Sequence, residues 1–476
     1  MARHVDLPFN TPPFQNIDEI GLHNFSDSLF NGFIDSSNEK AITVKRDGLS
    51  IHQDIGTAKA INGLFWWHEK SLLIVVTDGF IYKINEAGTA TSITGDKLET
   101  SGRVSFAQNG TTLVMANGGR MVYTDGTANT AYIADADAPT TVSHVAFLDY
   151  WLIVNRVNTP YFYFADFINA PTVWLSIDVF TAEAQPDIIL GLYVNRRIIT
   201  IVGSNSIEFW ANDGISPFVR LQGTTSSRGG MSKYSFAYAN EVGYMLDDMR
   251  RFVSINGTNV TILSTPYDRT LHSFTTVDDC LANYISYQGR HFLKFDFPTE
   301  NKSFVFDIVG NYWLEWNYFN SGLQTKQRFL GQEYAYAQAW NKHFFGSWKD
   351  SNVYEMKSDN YDDNGSDIHF EKTTGHIDHG LQGQLKTSFE ITMRVKTGNV
   401  LSDNSQAKFQ FSFRDENAQG FSSPRDIYLK PSSNTQFTVK EFDLGQYESR
   451  QYRIAHTDRT PFAIGSVTER LDVQDV

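Results

Sequence analysis

Four groups of residues have types and spacings that can support chemistry. In segment 360–371, Asn360, Asp362, Asn364 and Glu371 fall at positions 1, 3, 5 and 12 of a calcium loop, with Gly365 at position 6. Calcium takes six to eight oxygen ligands, and loops of this pattern supply them. Here Asn stands where Asp is usual at position 1, Asp367 fills the normally apolar position 8, and no helical pattern flanks the segment. An acidic Asn-Gly turn explains the same residues without an ion, so no metal is expected. The second group is His376 and His379 in HIDHG, two imidazoles without the third and fourth ligands that zinc needs. On a strand the two rings would face opposite ways.

The third group is carboxylates. Glu208, Asp247, Asp248, Asp278 and Asp279 stand near expected strand ends, where a pair could serve as acid and base on a glycosidic bond. Acids are common at such turns, and the Ser-x-Asp-x-Gly-x-x-Trp repeat of sialidases is absent; SFRDENAQGF (412–421) lacks its spacing. Cys280 has no evident activating base and reads as an inert core thiol. No Gly-rich phosphate loop or Ser-nucleophile elbow occurs. The fourth group is aromatic: WWHE (66–69) and NYWLEWNYF (311–319). Stacking on single-stranded bases works together with a basic groove, which the chain lacks, so these clusters read as packing or interface. No catalytic residue and no cofactor is assigned.

The elements that carry these residues are short runs of β-branched and aromatic side chains bounded by Gly, Asn, Asp and Ser, with almost no helical periodicity. A hairpin pattern recurs in LLIVVTDGFIYKI (72–84), TLVMANGGRMVYT (112–124), YWLIVNRVNTPYFYFAD (150–166) and RIITIVGSNSIEFWAND (197–213). It returns in VGYMLDDMRRFVSING (242–257), HFLKFDFPTENKSFVFD (291–307) and HFFGSWKDSNVYEM (343–356). Successive units lie 40 to 53 residues apart, room for four strands each, and Asp78-Gly79, Gly118-Gly119 and Ser204-Asn205 suit tight β-turns. That is the pattern of a β-propeller of about seven blade-like repeats. The expected organisation is an irregular N-terminal arm (1–40), a propeller (41–357) with 41–52 as a strand closing the ring, and a linker (358–383). A small C-terminal β-sandwich of six strands (384–476) completes it.

Composition narrows the classes. One cysteine excludes an internal disulfide framework. The longest aliphatic run, 72–76, is far below the roughly 20 residues that span a bilayer, and the start shows no apolar signal-peptide core. With 40 basic and 54 acidic side chains the net charge is −14, which argues against a grip on nucleic-acid phosphates. Aromatics make up 14% of the chain, a load that stacked blades consume because each buried ring contributes roughly 150–250 Å².

The stretch 182–213 is similar to a hallmark of the tail nozzle proteins of short-tailed phages, also called tail hub, tail accessory factor or packaged-DNA stabilisation proteins. Its Gln185-Pro186-Asp187 leads into a strand, and Gly203-Ser204-Asn205-Ser206-Ile207-Glu208-Phe209 follows. SGRVSFAQNGTTLVMANG (101–118), RGGMSKYSFAYANEVGYMLDD (228–248) and the C-terminal strands resemble the same family, so the likeness runs from about residue 25 to the end. The N-terminal FNTPPFQNIDEI and the segment around 358–383 depart from it.

The resemblance implies a virion protein assembled in the host cytoplasm into a hexameric ring. It implies a head-to-tail adaptor above, a tip plug or needle below, and a tail fibre or tailspike alongside. The ring would extend the DNA channel, help retain the packaged genome and let double-stranded DNA leave without binding it specifically. An acidic lumen would then repel phosphates. The rival expectation is a carbohydrate-binding or carbohydrate-active propeller associated with the tail.

Overall fold

The computed structural model describes residues 3–13, 27–36, 40–127, 129–168, 171–182, 187–214, 217–257, 259–263, 267–397, 406–429 and 436–474. They form two compact units. One comprises 51–302 and 330–356; the other comprises 1–50, 303–329 and 357–476.

The first unit is a propeller. Its sheets follow one another in chain order, each opening on an inner strand: Ile61–Trp67, Ser105–Gln108, Val145–Leu148, Ile189–Asn195, Ala237–Ala239, Leu281–Tyr287 and Gly331–Ala337. The first five are four-stranded antiparallel meanders, although the outer strands Ala90–Gly95 and Asn129–Tyr132 also pair in parallel and join the first two sheets. The sixth is represented in this unit by the hairpin Leu281–Tyr287/Arg290–Phe297. Six of the expected hairpins pair as read from sequence, among them Leu72–Thr77 with Phe80–Ile84 and Ile198–Gly203 with Ile207–Ala211. In the first, Asp78 and Gly79 take φ of 52° and 76°, the left-handed pair that matches strand twist.

Each blade buries its faces against the next. Trp67, Ile74 and Val76 meet Leu113, Met115 and Val122. Further round, Val114 and Ala116 meet Leu152, Val154 and Trp174, and Phe162 and Phe164 meet Ile199, Trp210 and Phe218. Phe252 packs on Phe295 with centroids 4.4 Å apart. The ring closes where Ala335, Phe344 and Val353 of the last blade join Ile61, Leu64 and Leu73 of the first. Strand Gly48–Asp54 lies beside Asn352–Lys357, and His52 Nδ1 stands 3.4 Å from Glu355 Oε2. The closing strand expected in 41–52 is therefore its second half; Ile42–Lys45 pairs elsewhere.

The other unit holds two sheets of a sandwich. All six expected C-terminal strands form, but they do not stand alone. Phe462–Val473 pairs with Lys386–Thr397, with Ile42–Lys45 and with Arg3–Leu7, while Ser28–Phe30 joins Phe370–Thr373 in the second sheet. Strands Arg3–Leu7, Ser28–Phe30 and Gly32–Asp35 of the expected arm and Phe370–Thr373 of the expected linker are thus sandwich strands, whereas Asp362–Asp363 and Ser366–Asp367 form a hairpin outside the two sheets; 303–329 falls in the same compact unit. Phe462–Val473 carries buried Ile464, Val467 and Leu471, and its buried backbone N–H and C=O groups need partners on both edges, which Lys386–Thr397 supplies on one side and Ile42–Lys45 with Arg3–Leu7 on the other. Phe462 stacks on His456 at 4.4 Å and meets Phe370 and Phe409 from the facing sheet.

Candidate functional site

Three of the segments that carry the family likeness, 101–118, 182–213 and 228–248, lie in the propeller. Asp187 Oδ2 accepts hydrogen bonds from Asn205 N and Ser206 N, both at 2.9 Å, and from Ser206 Oγ at 3.1 Å, so one carboxylate ties down the Gly203–Ser206 turn. A Cβ on Gly203 would lie 2.3 Å from that oxygen, and one on Gly229 would lie 2.1 Å from Ser204 O. Both glycines exist for close approach. Gly203→Ala should therefore expel Asp187 and cost about 2–3 kcal/mol, read as a lowered urea midpoint. Gln185 and Pro186 lie outside the described residues.

Ser101-Gly102-Arg103 opens the second blade and delivers Arg103 to the propeller axis. Asn62 Nδ2 donates to Gly102 O at 2.8 Å, and Val104 N donates to Asn62 O at 2.9 Å, which orients the turn. The Arg103 guanidinium then spans three blades: Nε donates to Glu333 Oε2 at 2.9 Å, and its terminal nitrogens donate to Ala282 O at 2.7 Å and Asn283 Oδ1 at 2.6 Å. Burial pushes the Glu333 carboxyl up while Arg103 and then Lys294 pull it down. Lys294 pairs with Asp296 beside it, both fully buried. The sequence shows this arginine as part of a motif and gives it no task; its role depends on contacts with residues 179 to 230 positions away.

Above Arg103 lies a cavity of about 650 Å³, lined from six blades by residues that include Lys59, Asn62, Lys233, Tyr234, Asp278 and Asp279. Beside the axis, His144 is buried between Tyr234 (4.9 Å) and Tyr193 (5.2 Å), and burial drives its imidazole from the ordinary 6.5 to about 3. The unfolded chain takes up this proton below about 6.5 and the folded one does not until about 3, so stability falls progressively as pH drops through that window. Urea midpoints should decline from pH 7 to pH 4, and less steeply in His144→Gln.

The other candidates disperse. Asp362–Asp363 and Ser366–Asp367 form a two-stranded hairpin turning at Asn364 (φ 50°) and Gly365 (φ 83°). Its carboxylates face guanidinium groups: Asp363 pairs with Arg46, and Arg459 donates to Asp367 Oδ1 at 2.8 Å. Asn360 donates to Asp362 O, and Glu371 sits on a separate strand opposite Ala455. Among the described residues, no group of three or more His, Cys, Asp or Glu is placed to hold a metal. His376 meets Ser449 and Arg414, whereas His379 meets Tyr447 and Glu469. Glu208 accepts from Trp210 Nε1, and Asp247 accepts from Met249 N and Arg251 N. Asp248 Oδ1 is buried without a partner, and Asp278 and Asp279 line the axial cavity. Burial, then Asp296 and Asp279, push the Cys280 thiol far up. Trp66 packs edge-on against Trp340, Trp313 on Phe306 and Trp316 on Phe329.

A family model described as "Bacteriophage P22 Gp10, beta-propeller" matches residues 32–361. The chain belongs to this family. It is a tail nozzle, or packaged-DNA stabilisation, protein of the phage type. No curated protein matches the sequence. Among solved structures, the extracellular domain of BT4673 from B. thetaiotaomicron is 10% identical over 86% of this chain, with a TM-score of 0.45. This chain spans 58% of the length of that domain. The N-terminal domain of Nup159 is 8% identical, with a TM-score of 0.40, covering 69% of this chain and 98% of that one. No helix among the described residues is long and apolar enough to cross a membrane.

Proposed function

We propose that six copies of this chain form a closed ring that extends the DNA channel below the portal and its adaptor, helps retain the packaged genome and conducts it on infection, without catalysing a reaction. The family match over residues 32–361 carries this reading. The Arg103 network supports it: a side chain that crosses from the second blade to the sixth and seventh occupies the middle of the subunit's propeller, and the proposed conduit runs between copies. A closed ring of identical chains needs a heterologous contact whose rotation closes. The sandwich sheets serve as a second contact module for the adaptor, the tip plug or needle, and the fibres or tailspikes.

The surplus of acids is shared equally by the two units. On the ring's inner wall they repel phosphates and deny DNA the counterion release that cationic walls would permit. Assembly proceeds in the host cytoplasm. Electron cryomicroscopy of virions tests the proposal. A sixfold ring of this chain on the tail axis, with a duplex-wide lumen, is expected. A peripheral or monomeric location overturns the ring, and a lumen lined mainly by Lys and Arg overturns the acidic wall.

A further inference from the structure

The axial cavity of the propeller holds charges of both signs that the fold does not pair. Lys59 and Lys233 line it and make no ion pair among the described residues, and neither does Asp278. Two acceptor oxygens at its wall are buried and have no donor: Asn62 Oδ1, on a residue only 8% exposed, and Asp279 Oδ1. The second oxygen of Asp279 is fixed by Thr299 N at 2.7 Å, and Asn62 is fixed through its amide to Gly102, so both orphans are held in place. Buried acceptors without donors are costly unless something supplies N–H or O–H groups. Between the charged groups the wall is apolar, with Leu190, Met231 and Leu281. The volume, about 650 Å³, falls in the range of pre-formed ligand pockets.

The occupant must satisfy three demands. It must bring hydrogen-bond donors to Asn62 and Asp279, an anion to Lys59 and Lys233, and an apolar body between them. The charges also balance, since Arg103 is matched by Glu333 and the two lysines by the two aspartates. A purely anionic ligand such as a sugar acid satisfies the lysines and offers hydroxyl donors, but it brings no positive charge to the aspartates. A ligand with an ammonium at one end and a carboxylate at the other matches every group. We propose that this cavity is a binding site for a short peptide that presents an ammonium to Asn62, Asp278 and Asp279 and a carboxylate to Lys59 and Lys233. The Arg103 network forms its rigid floor.

Calorimetric titration of the full-length protein at pH 7 with trialanine bearing free termini tests the site. Acetyl-trialanine amide and glucuronate serve as comparison ligands. Saturable binding of free trialanine at low millimolar concentration or tighter is expected, with the doubly blocked peptide at least tenfold weaker. Lys233→Gln and Asp279→Asn should each weaken trialanine about tenfold, the loss of one charge-assisted contact. Both preserve the fold by design, because Lys233 makes no ion pair and the amide carbonyl introduced by Asp279→Asn can still accept from Thr299 N; unchanged thermal unfolding verifies this. Absence of trialanine binding by the unaltered protein, equal binding of the blocked peptide, tighter binding of glucuronate, or full affinity in both variants would each overturn the proposal.

Discussion

Replacing Arg103 by alanine is expected to destabilise the propeller unit by about 3–5 kcal/mol, the cost of leaving a buried partner charge unmatched. Arg103 is a side chain from the second blade that closes contacts with the sixth and seventh. Its removal strips the donor from Glu333, whose side chain is 4% exposed and whose other oxygen already has no partner. The carbonyl of Ala282 and the amide of Asn283 lose donors at the same time. Glu333 then has to take up a proton or admit water, so the variant should also gain a pH dependence, stability rising as pH falls toward protonation of Glu333. Urea unfolding at pH 7 and pH 5 reads both effects. The double change Arg103→Met with Glu333→Gln should recover much of the loss, because it removes both charges together. A single-variant loss below about 1 kcal/mol would show that the axis is not held by this pair.

Asp363→Ala should cost the sandwich unit a similar amount, about 3–5 kcal/mol. Asp363 and Arg46 are each 1% exposed and meet through two parallel contacts, one of them 2.9 Å between Nη1 and Oδ1. Arg46 is otherwise fixed by Asn31 Oδ1 and Asn317 O, both at 3.0 Å, and by the ring of Phe329 at 4.9 Å. Those contacts orient the guanidinium but do not neutralise it. Asp363 also raises the ammonium of neighbouring Lys45, which burial and then Arg46 have lowered to about 7. Without Asp363 both cations are left short of a counter-charge. Asp363→Asn keeps an acceptor and should lose less. Calcium should rescue neither variant; a calcium-dependent gain in unfolding midpoint in the unaltered protein would instead restore the ion-binding reading of 360–371.

Much of the propeller is readable in sequence because its signals are local. A turn such as Asp78-Gly79 and the alternation on either side of it fix a hairpin within about a dozen residues, and repetition of that unit gives the architecture. The motif around Asp187 and Gly203 is equally visible, but not its purpose. One carboxylate oxygen capping a turn 18 residues away is a tertiary fact, and so is the glycine that makes room for it. The calcium pattern in 360–371 shows the opposite case. Spacing alone cannot tell whether a carboxylate faces an ion or a guanidinium, and Arg46 lies 317 positions from Asp363.

An all-β chain, a repeated four-strand unit, six C-terminal strands and a likeness to a phage tail family are all legible in residue order alone. Each follows from side-chain periodicity or from motifs a few residues long. Tertiary structure alone decided that strands from the first 50 residues complete the sandwich and that the propeller's closing strand is the second half of 41–52. It also decided that an arginine from the second blade is held by residues of the sixth and seventh. Those outcomes depend on which edges and buried charges find partners across hundreds of residues, a competition settled by burial and pairing energy that no local pattern records.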